Sequence, residues 1–193
     1  ALNTTAYGLE KWGPGILSLT QANTLTISTN APIIYGGSIA LSGAGTWTTS
    51  PTMAITAQPG ATLFVNDAGT LAVANRLGGR GVTLQSGTLS YVASGTSLSN
   101  ETLGTLTANF GTDIVNFTNN GATAGTLAFS SLSMGAGGVL VFQSGTSLTN
   151  SLSIRFTSVP TLTGSLIQRA VVLDSTGTVA FAGTAATSLA GTV

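Results

Sequence analysis

The chain has 193 residues, with five basic and five acidic residues, a formal net charge of zero, no histidine and no cysteine. Most catalytic mechanisms and metal centres need His, Cys, Lys or paired carboxylates, so this composition argues against an enzyme. Nucleic acids and anionic lipids are bound by clustered Lys and Arg, so it argues against both partners as well. We therefore expect no catalytic residue, no cofactor and no metal ligand set.

Hydrophobic residues make up 42% of the chain, which is enough to bury a core. No apolar run approaches the roughly 18 residues of a membrane-spanning helix, so we expect no membrane span. The first residues lack a basic and apolar leader pattern, and any signal peptide is expected to have been removed or to lie outside this numbering. We treat residues 1–193 as a single domain.

Short runs rich in Thr, Val, Ile and Ser, cut every few residues by Gly or Asn, predict strands and almost no helix. In residues 88–91 and 152–156 every second residue is apolar, as a half-buried strand requires. The predicted strands, in chain order, are 15–20, 24–28, 33–41, 53–57, 62–65, 70–74, 82–85, 88–92, 103–109, 114–118, 126–129, 139–143, 151–156, 166–173 and 178–182.

A Gly-Thr-Leu motif recurs at residues 69–71, 87–89, 104–106 and 125–127. Its successive copies start 18, 17 and 21 residues apart, which we interpret as about the length of one solenoid coil. The turn sequence of residues 94–100 also returns, slightly changed, at residues 144–150. A β-sandwich is the alternative for this many short strands, but it has no reason to repeat a turn sequence. The repeats therefore favour an all-β fold, a right-handed parallel β-helix (β-solenoid).

Stacked coils about 4.8 Å apart would align equivalent side chains in columns. We expect Thr and Ser ladders outside and aliphatic residues inside. The expected corner residues are Gly69, Gly87, Gly104 and Gly125. The seven phenylalanines are expected to form a core stack: Phe64, Phe110, Phe117, Phe129, Phe142, Phe156 and Phe181.

Charged residues cluster once, at Asp67, Arg76 and Arg80. This group has the residue types of a polysaccharide-degrading site, but we favour a solvated loop in which Asp67 is paired at the surface. Glu101 and Asp113 could form a carboxylate pair for glycoside hydrolysis if they lie on adjacent coils. We favour ordinary turn residues for both.

Three aromatic residues are the candidate contact residues: Tyr7, Trp12 and Trp47. Tyr7 and Trp12 precede the first clear strand, so residues 1–14 are interpreted as an N-terminal cap or a contact with another subunit, because a solenoid needs its core covered at each end. The alternative is that these aromatics, Trp47 included, stack on sugar rings.

Residues 15–27 are similar to the passenger-associated repeat of autotransporter-associated β-strand proteins. Four further segments follow the order seen in very large bacterial surface proteins of this type, namely residues 101–107, 126–129, 135–138 and 156–162. The resemblance is best over residues 103–182. It implies a secreted or outer-surface β-helical stalk or adhesin-like segment, commonly part of a longer chain, and it transfers no catalytic residues.

Three functions remain open at this point. The leading hypothesis is a structural, non-enzymatic protein, secreted or on the bacterial cell surface, whose partner is a second copy in a homo-oligomer, filament or sheath. The second is a carbohydrate-binding, adhesin-like segment that contacts surface glycans, and the third is a polysaccharide-degrading enzyme. Residues 182–193 resemble the opening of another unit, so an open coil end is expected there.

Overall fold

A computed structural model describes residues 8–23, 30–47, 53–69, 72–119, 124–144, 152–173, 179–183 and 188–189. These residues contain strands and turns and no α-helix, which confirms the all-β prediction. The strands are β1 (Glu10–Lys11), β2 (Ile16–Leu19), β3 (Ala22–Asn23), β4 (Ile33–Ile34), β5 (Ser38–Leu41), β6 (Thr46–Trp47), β7 (Ile55–Ala57), β8 (Thr62–Asn66), β9 (Val82–Leu84), β10 (Thr88–Ala93), β11 (Ser99–Leu103), β12 (Leu106–Asn119), β13 (Gly125–Phe129), β14 (Leu132–Gln143), β15 (Leu152–Phe156), β16 (Leu162–Thr163), β17 (Leu166–Leu173), β18 (Val179–Gly183) and β19 (Ser188–Leu189).

The chain forms a parallel β-solenoid of about five turns, as predicted; its right-handedness stays a prediction. Three lines of stacked strands make up its faces. The first face contains β1, β4, β7, β9 and the beginnings of β12 and β14. The second face contains β2, β5, β8, β10, the ends of β12 and β14, and β17. The third face contains β3 paired with β6, and β11, β13 and β15.

The coils are longer than the spacing of the Gly-Thr-Leu motif predicted. Ile16 stacks on Ser38 in the first coils and Leu140 stacks on Ala170 in the last, and both intervals exceed every interval between motif starts. The motifs do not stack on one another, because they open strands on different faces. Thr88 begins a second-face strand, whereas Leu106 begins its strand on the first face. The motif therefore marks the start of a strand and not the repeat of a coil.

Three of the four predicted corner glycines lie outside strands. Gly69 and Gly104 lie in bends, and Gly87 directly precedes β10. Gly125, in contrast, is the first residue of β13 and stacks between two neighbouring strands. The corner assignment of Gly125 is therefore wrong. At Gly104 a Cβ atom would lie 2.8 Å from the backbone nitrogen of Gly81, so the close approach of two coils requires glycine there.

Alternate residues of the strands face inward and form continuous columns. One column on the second face contains Leu17, Ile39, Leu63, Leu89, Val115 and Phe142. All of its members are buried except Leu17, which is half-buried in the first coil. Full burial of such a side chain stabilises the fold by about 1.5–3 kcal/mol, so the columns are the main source of stability.

The phenylalanine stack is confirmed in part. Its buried members are Phe117, Phe129, Phe142 and Phe156. The rings of Phe129 and Phe156 are stacked with centroids 5.5 Å apart. Phe110 is 44% exposed and Phe64 is half-buried, because both occupy outward positions in the alternation of their strands. The side chain of Phe181 lies outside the described residues.

Hydroxyl and amide side chains connect successive coils on the outside, as predicted. Examples are Thr105 Oγ1 with Ser131 Oγ at 2.9 Å, Asn116 Nδ2 donating to Ser90 Oγ at 3.3 Å, and Thr126 Oγ1 with Ser153 Oγ at 3.3 Å. These bonds lie on different faces, so polar ladders support the parallel stacking around the solenoid.

The strand direction reverses after the last parallel coil. β16 pairs with β17, β17 with β18, and β15 with β19, all antiparallel. Gly164 and Ser165 both have positive φ, at 58° and 71°, as the two-residue turn of a tight hairpin requires. Within the described residues of 182–193, the chain folds back on the last coils, which differs from the predicted opening of another parallel unit.

Candidate functional site

Five of the ten charged residues are buried inside the solenoid. They are Asp67, Arg76, Arg80, Glu101 and Asp113. The predictions of a solvated loop for the first three and of ordinary turn residues for the last two are therefore wrong. Charged side chains are rarely buried unless they are paired, so the partners of these groups decide what the cluster does.

Arg76 forms the centre of the buried cluster. Its Nε donates to Asp67 Oδ1 at 2.6 Å, and neither side chain is exposed to solvent. Its two terminal nitrogens donate to the carbonyl oxygens of Gly45, at 2.6 Å, and Gly43, at 2.9 Å. Arg76 thus connects the turn after β5 with the residue after β8, one coil later, and it satisfies acceptors that the apolar core cannot.

The second oxygen of Asp67 is also occupied. Oδ2 accepts hydrogen bonds from Tyr91 Oη at 3.0 Å and from Ser99 Oγ at 2.6 Å, and the two hydroxyls lie 2.6 Å apart. Burial raises the pKa of Tyr91, so its hydroxyl stays protonated and donates. Asp67 therefore has charged or hydroxyl donors on both oxygens, which is the condition for burying a carboxylate.

Glu101 stabilises a turn that replaces a third-face strand. Residues 74–79 form this turn, and the Glu101 carboxylate accepts from the backbone nitrogens of Arg76 at 2.8 Å and Leu77 at 3.0 Å. Burial raises the pKa of Glu101 to about 7, and the two backbone hydrogen bonds oppose that rise. In a stacked strand these two N–H groups would donate to carbonyl oxygens of the neighbouring strand. Here they donate to the Glu101 carboxylate instead.

Trp47 lies in the core beside Arg80, which contradicts its predicted exposure. The indole is fully buried, and the guanidinium of Arg80 lies 5.4 Å from the ring centroid, within the range of a cation–π contact. Arg80 Nη1 also donates to the carbonyl oxygen of Met53 at 3.3 Å, and burial lowers the pKa of Arg80. Trp47 is therefore a core residue and cannot stack on a sugar at the surface.

The two carboxylates considered for glycoside hydrolysis serve different turns. Asp113 Oδ1 accepts from the backbone nitrogen of Ser86 at 2.7 Å, between the first and second faces, and burial raises its pKa. The Glu101 carboxylate accepts a hydrogen bond from the turn on the third face. Among the described residues, neither carboxylate is open to solvent, so the two offer no exposed acid–base pair.

Among the described residues, the most exposed aromatic side chain lies on the first coil. Trp12 is 64% exposed and its ring stacks on Tyr35 at a centroid distance of 3.8 Å. Trp12 Nε1 donates to Glu10 Oε2 at 3.1 Å. We call Glu10, Trp12, Tyr35 and the 69% exposed Ile16 the first-coil patch. Tyr7 lies outside the described residues.

Among the described residues, the core is incompletely covered at this end. Lys11 occupies the column position that Ile34 fills one coil later, and its ammonium group donates to three backbone carbonyls, at 2.7, 2.8 and 3.2 Å. Among the described strands, β1 and β2 end the main path of the 13-stranded sheet at this coil. Such edges present backbone groups to another chain, so the first coil is the candidate contact surface.

The buried cluster was missing from the sequence predictions because the number of residues in one coil was unknown. The interval from Gly43 to Asp67 equals the interval from Asp67 to Tyr91. Stacked strand residues elsewhere in the solenoid are separated by this same interval. A search for polar residues repeated at the coil length could have brought the members of the cluster together.

Comparison of the chain with protein-family models, with curated proteins and with solved structures gives no match. In the part of the chain that the structure describes, no helix is long and apolar enough to cross a membrane. Nor do three carboxylates come together there as a metal site would require.

Proposed function

We propose that this protein is a non-enzymatic structural β-solenoid, secreted or exposed on a bacterial cell surface, that self-associates end to end into filaments or a sheath. The observation that carries the proposal is the incompletely covered first coil. There, Leu17 is half-buried although its stacked partner Ile39 is fully buried, and Ile16 and Trp12 are largely exposed.

Few charges oppose association at the surface. Apart from Asp174, which lies outside the described residues, the charges not buried in the core are Glu10, Lys11, Arg155 and Arg169. Natural sheets usually protect their edges with charged side chains. Both residues of β1 are charged, with opposite signs, whereas β2 carries no charge. The two ends of the solenoid also differ, so a contact between unlike ends need not close and can generate a filament.

The resemblance to autotransporter-associated repeats supports the proposed location. Stalk-like β-helical segments of that kind are secreted and project from the cell. The Thr–Ser hydrogen bonds between successive coils and the small number of charged residues are compatible with such a segment.

A lysine substitution at the first-coil edge is expected to abolish self-association. Ile16→Lys places a charge on the terminal strand β2, where another sheet would have to pair. Leu98→Lys is the matched control, because Leu98 is 61% exposed but lies between β10 and β11. Sedimentation velocity should show large species for the intact protein and for Leu98→Lys, and monomers for Ile16→Lys. Equal association of both variants would contradict the proposal.

Carbohydrate binding is the second candidate, and the exposed Trp12 ring favours it. Aromatic faces stack on sugar rings, and here the indole is held in place by Tyr35 and Glu10. We expect Trp12→Ala to weaken glycan binding without loss of the β-rich circular dichroism spectrum. A glycan array on which the intact protein binds nothing would remove this candidate.

A further inference from the structure

A cavity of about 230 Å³ lies between the last first-face strand and the segment that folds back after it. The start of β14 lines one side, and residues 160–169 line the other. Among the described strands, only β12 pairs with this part of β14, because β17 joins β14 further along, on the second face. The fold-back segment therefore covers the end of the first face without pairing to it, and the cavity lies between them.

The cavity combines an apolar interior with a polar opening. The lining residues that are buried or half-buried are apolar, and they include Leu132, Met134 and Ile167. The exposed lining residues are polar or charged: Thr161, Gln168 and Arg169. An apolar cavity of about 150 Å³ takes up benzene, so this larger one has room for a single ring with a short polar substituent.

Arg169 lies at the opening because β17 contains a bulge. Ile167 and Ala170 are both buried, whereas Gln168 and Arg169 between them are both exposed, so the alternation of the strand is interrupted by one residue. The pairing of β17 with β18 is irregular over the same stretch. Arg169 has a φ of 57°, a left-handed conformation that long side chains rarely adopt. Bulges and strained residues of this kind are typical of places where a side chain is aimed at a ligand.

The guanidinium of Arg169 has no carboxylate partner among the described residues. Its Nη1 donates to the carbonyl oxygen of Ala136 and leaves further N–H groups for an anion. The acidic residues that the structure describes all accept hydrogen bonds elsewhere: Glu10, Asp67, Glu101 and Asp113. Guanidinium groups bind carboxylates through parallel N–H···O bonds, so a carboxylate is the ligand group that suits this opening.

We infer that this cavity binds a small aromatic carboxylate, with the ring in the apolar interior beside Met134 and the carboxylate paired with Arg169. Methionine sulfur makes favourable contacts with aromatic rings, which favours an aromatic ligand over an aliphatic one. The site lies at the other end of the solenoid from the first-coil patch. It does not depend on self-association, so its failure would leave the proposed function standing.

Methyl NMR tests the site directly, because the chain contains two methionines. Met134 lines the cavity, whereas Met53 lies two residues before β7, which is three strands away along the first face. With carbon-13-labelled methionine methyl groups, phenylacetate at about millimolar concentration should shift the Met134 resonance in a saturable manner and leave that of Met53 unchanged. The uncharged 2-phenylethanol should bind about threefold to 10-fold more weakly. No shift at Met134, or equal binding of the alcohol, would overturn the inference.

Two substitutions separate binding from folding. Glycine adopts positive φ without strain, so Arg169→Gly should unfold at about the same temperature as the unsubstituted protein but bind phenylacetate about threefold to 10-fold more weakly. Thr161→Trp should fill the opening and weaken binding at least as much, although Arg169 is kept. Arg155→Gln is the control, because Arg155 is exposed on the third face. If Arg169→Gly or Thr161→Trp bound phenylacetate as tightly as Arg155→Gln, the assigned site would be wrong.

Discussion

Replacing Arg76 by alanine is expected to lower the free energy of unfolding by about 3–5 kcal/mol, because it leaves the buried Asp67 carboxylate without its cation. The same substitution removes the donors to the carbonyl oxygens of Gly43 and Gly45. Tyr91 and Ser99 would still donate to Asp67, but hydroxyl groups alone compensate a buried charge poorly. Urea unfolding followed by circular dichroism measures the effect.

Arg155→Ala is the matched control for this measurement. Arg155 is exposed and bonds only locally in the described structure, through Nε to Ser153 Oγ at 3.1 Å. Its loss should change the free energy of unfolding by less than about 0.5 kcal/mol. If Arg76→Ala cost no more than Arg155→Ala, the buried cluster would not be an internal support of the solenoid.

The second large effect is a loss of stability as pH rises from about 4.5 to about 7. Burial raises the pKa of Glu101 from 4.5 to about 7 in the folded protein. The unfolded chain therefore releases this proton first, and folding becomes less favourable until the folded protein releases it too. The shift corresponds to about 3 kcal/mol, with little further change from this group above pH 7.

Glu101→Gln isolates this contribution, because glutamine has a similar shape and does not titrate. The variant should lose most of the slope of unfolding free energy against pH between about 4.5 and 7. Burial also raises the pKa of Asp113, which gives a slope of the same sign, so Asp113→Asn is measured beside it. A pH profile of Glu101→Gln that matches the unsubstituted protein would show that Glu101 is not the titrating group.

Strands were the part of the fold that the sequence predicted well. In residues 88–92 the alternation of small polar and apolar residues sets which side chains face the core, and β10 forms there with the expected pattern of burial. Parallel stacking was also predicted correctly, although the recurring strand openings on which that prediction rested do not stack on one another. The number of residues in one coil was not predicted. Gly-Thr-Leu opens strands on all three faces, so its spacing is the number of residues from one face to another.

The buried cluster could not be predicted from local sequence. Arg76 and Arg80 stand among glycines and small residues, which locally is the composition of an exposed loop. The turn that contains Arg76 is held by Glu101, which lies one coil later and accepts hydrogen bonds from the backbone nitrogens of Arg76 and Leu77. Trp47 was misjudged for a related reason, since a two-residue strand has too short an alternation to reveal which side faces the core.

Trp12 is exposed on the first coil, where a contact residue was expected. Its partners within the chain, Tyr35 and Glu10, fix the ring without covering it. The ring therefore stays available to another molecule.

X-ray fibre diffraction from an aligned, concentrated sample tests the end-to-end account most directly. If copies continue one another's coils, the strands lie across the filament and a reflection near about 4.8 Å appears along the filament axis. Ile16→Lys under the same conditions should give no oriented pattern. A protein that remains monomeric at these concentrations, or filaments whose strand-spacing reflection lies perpendicular to their axis, would contradict the account.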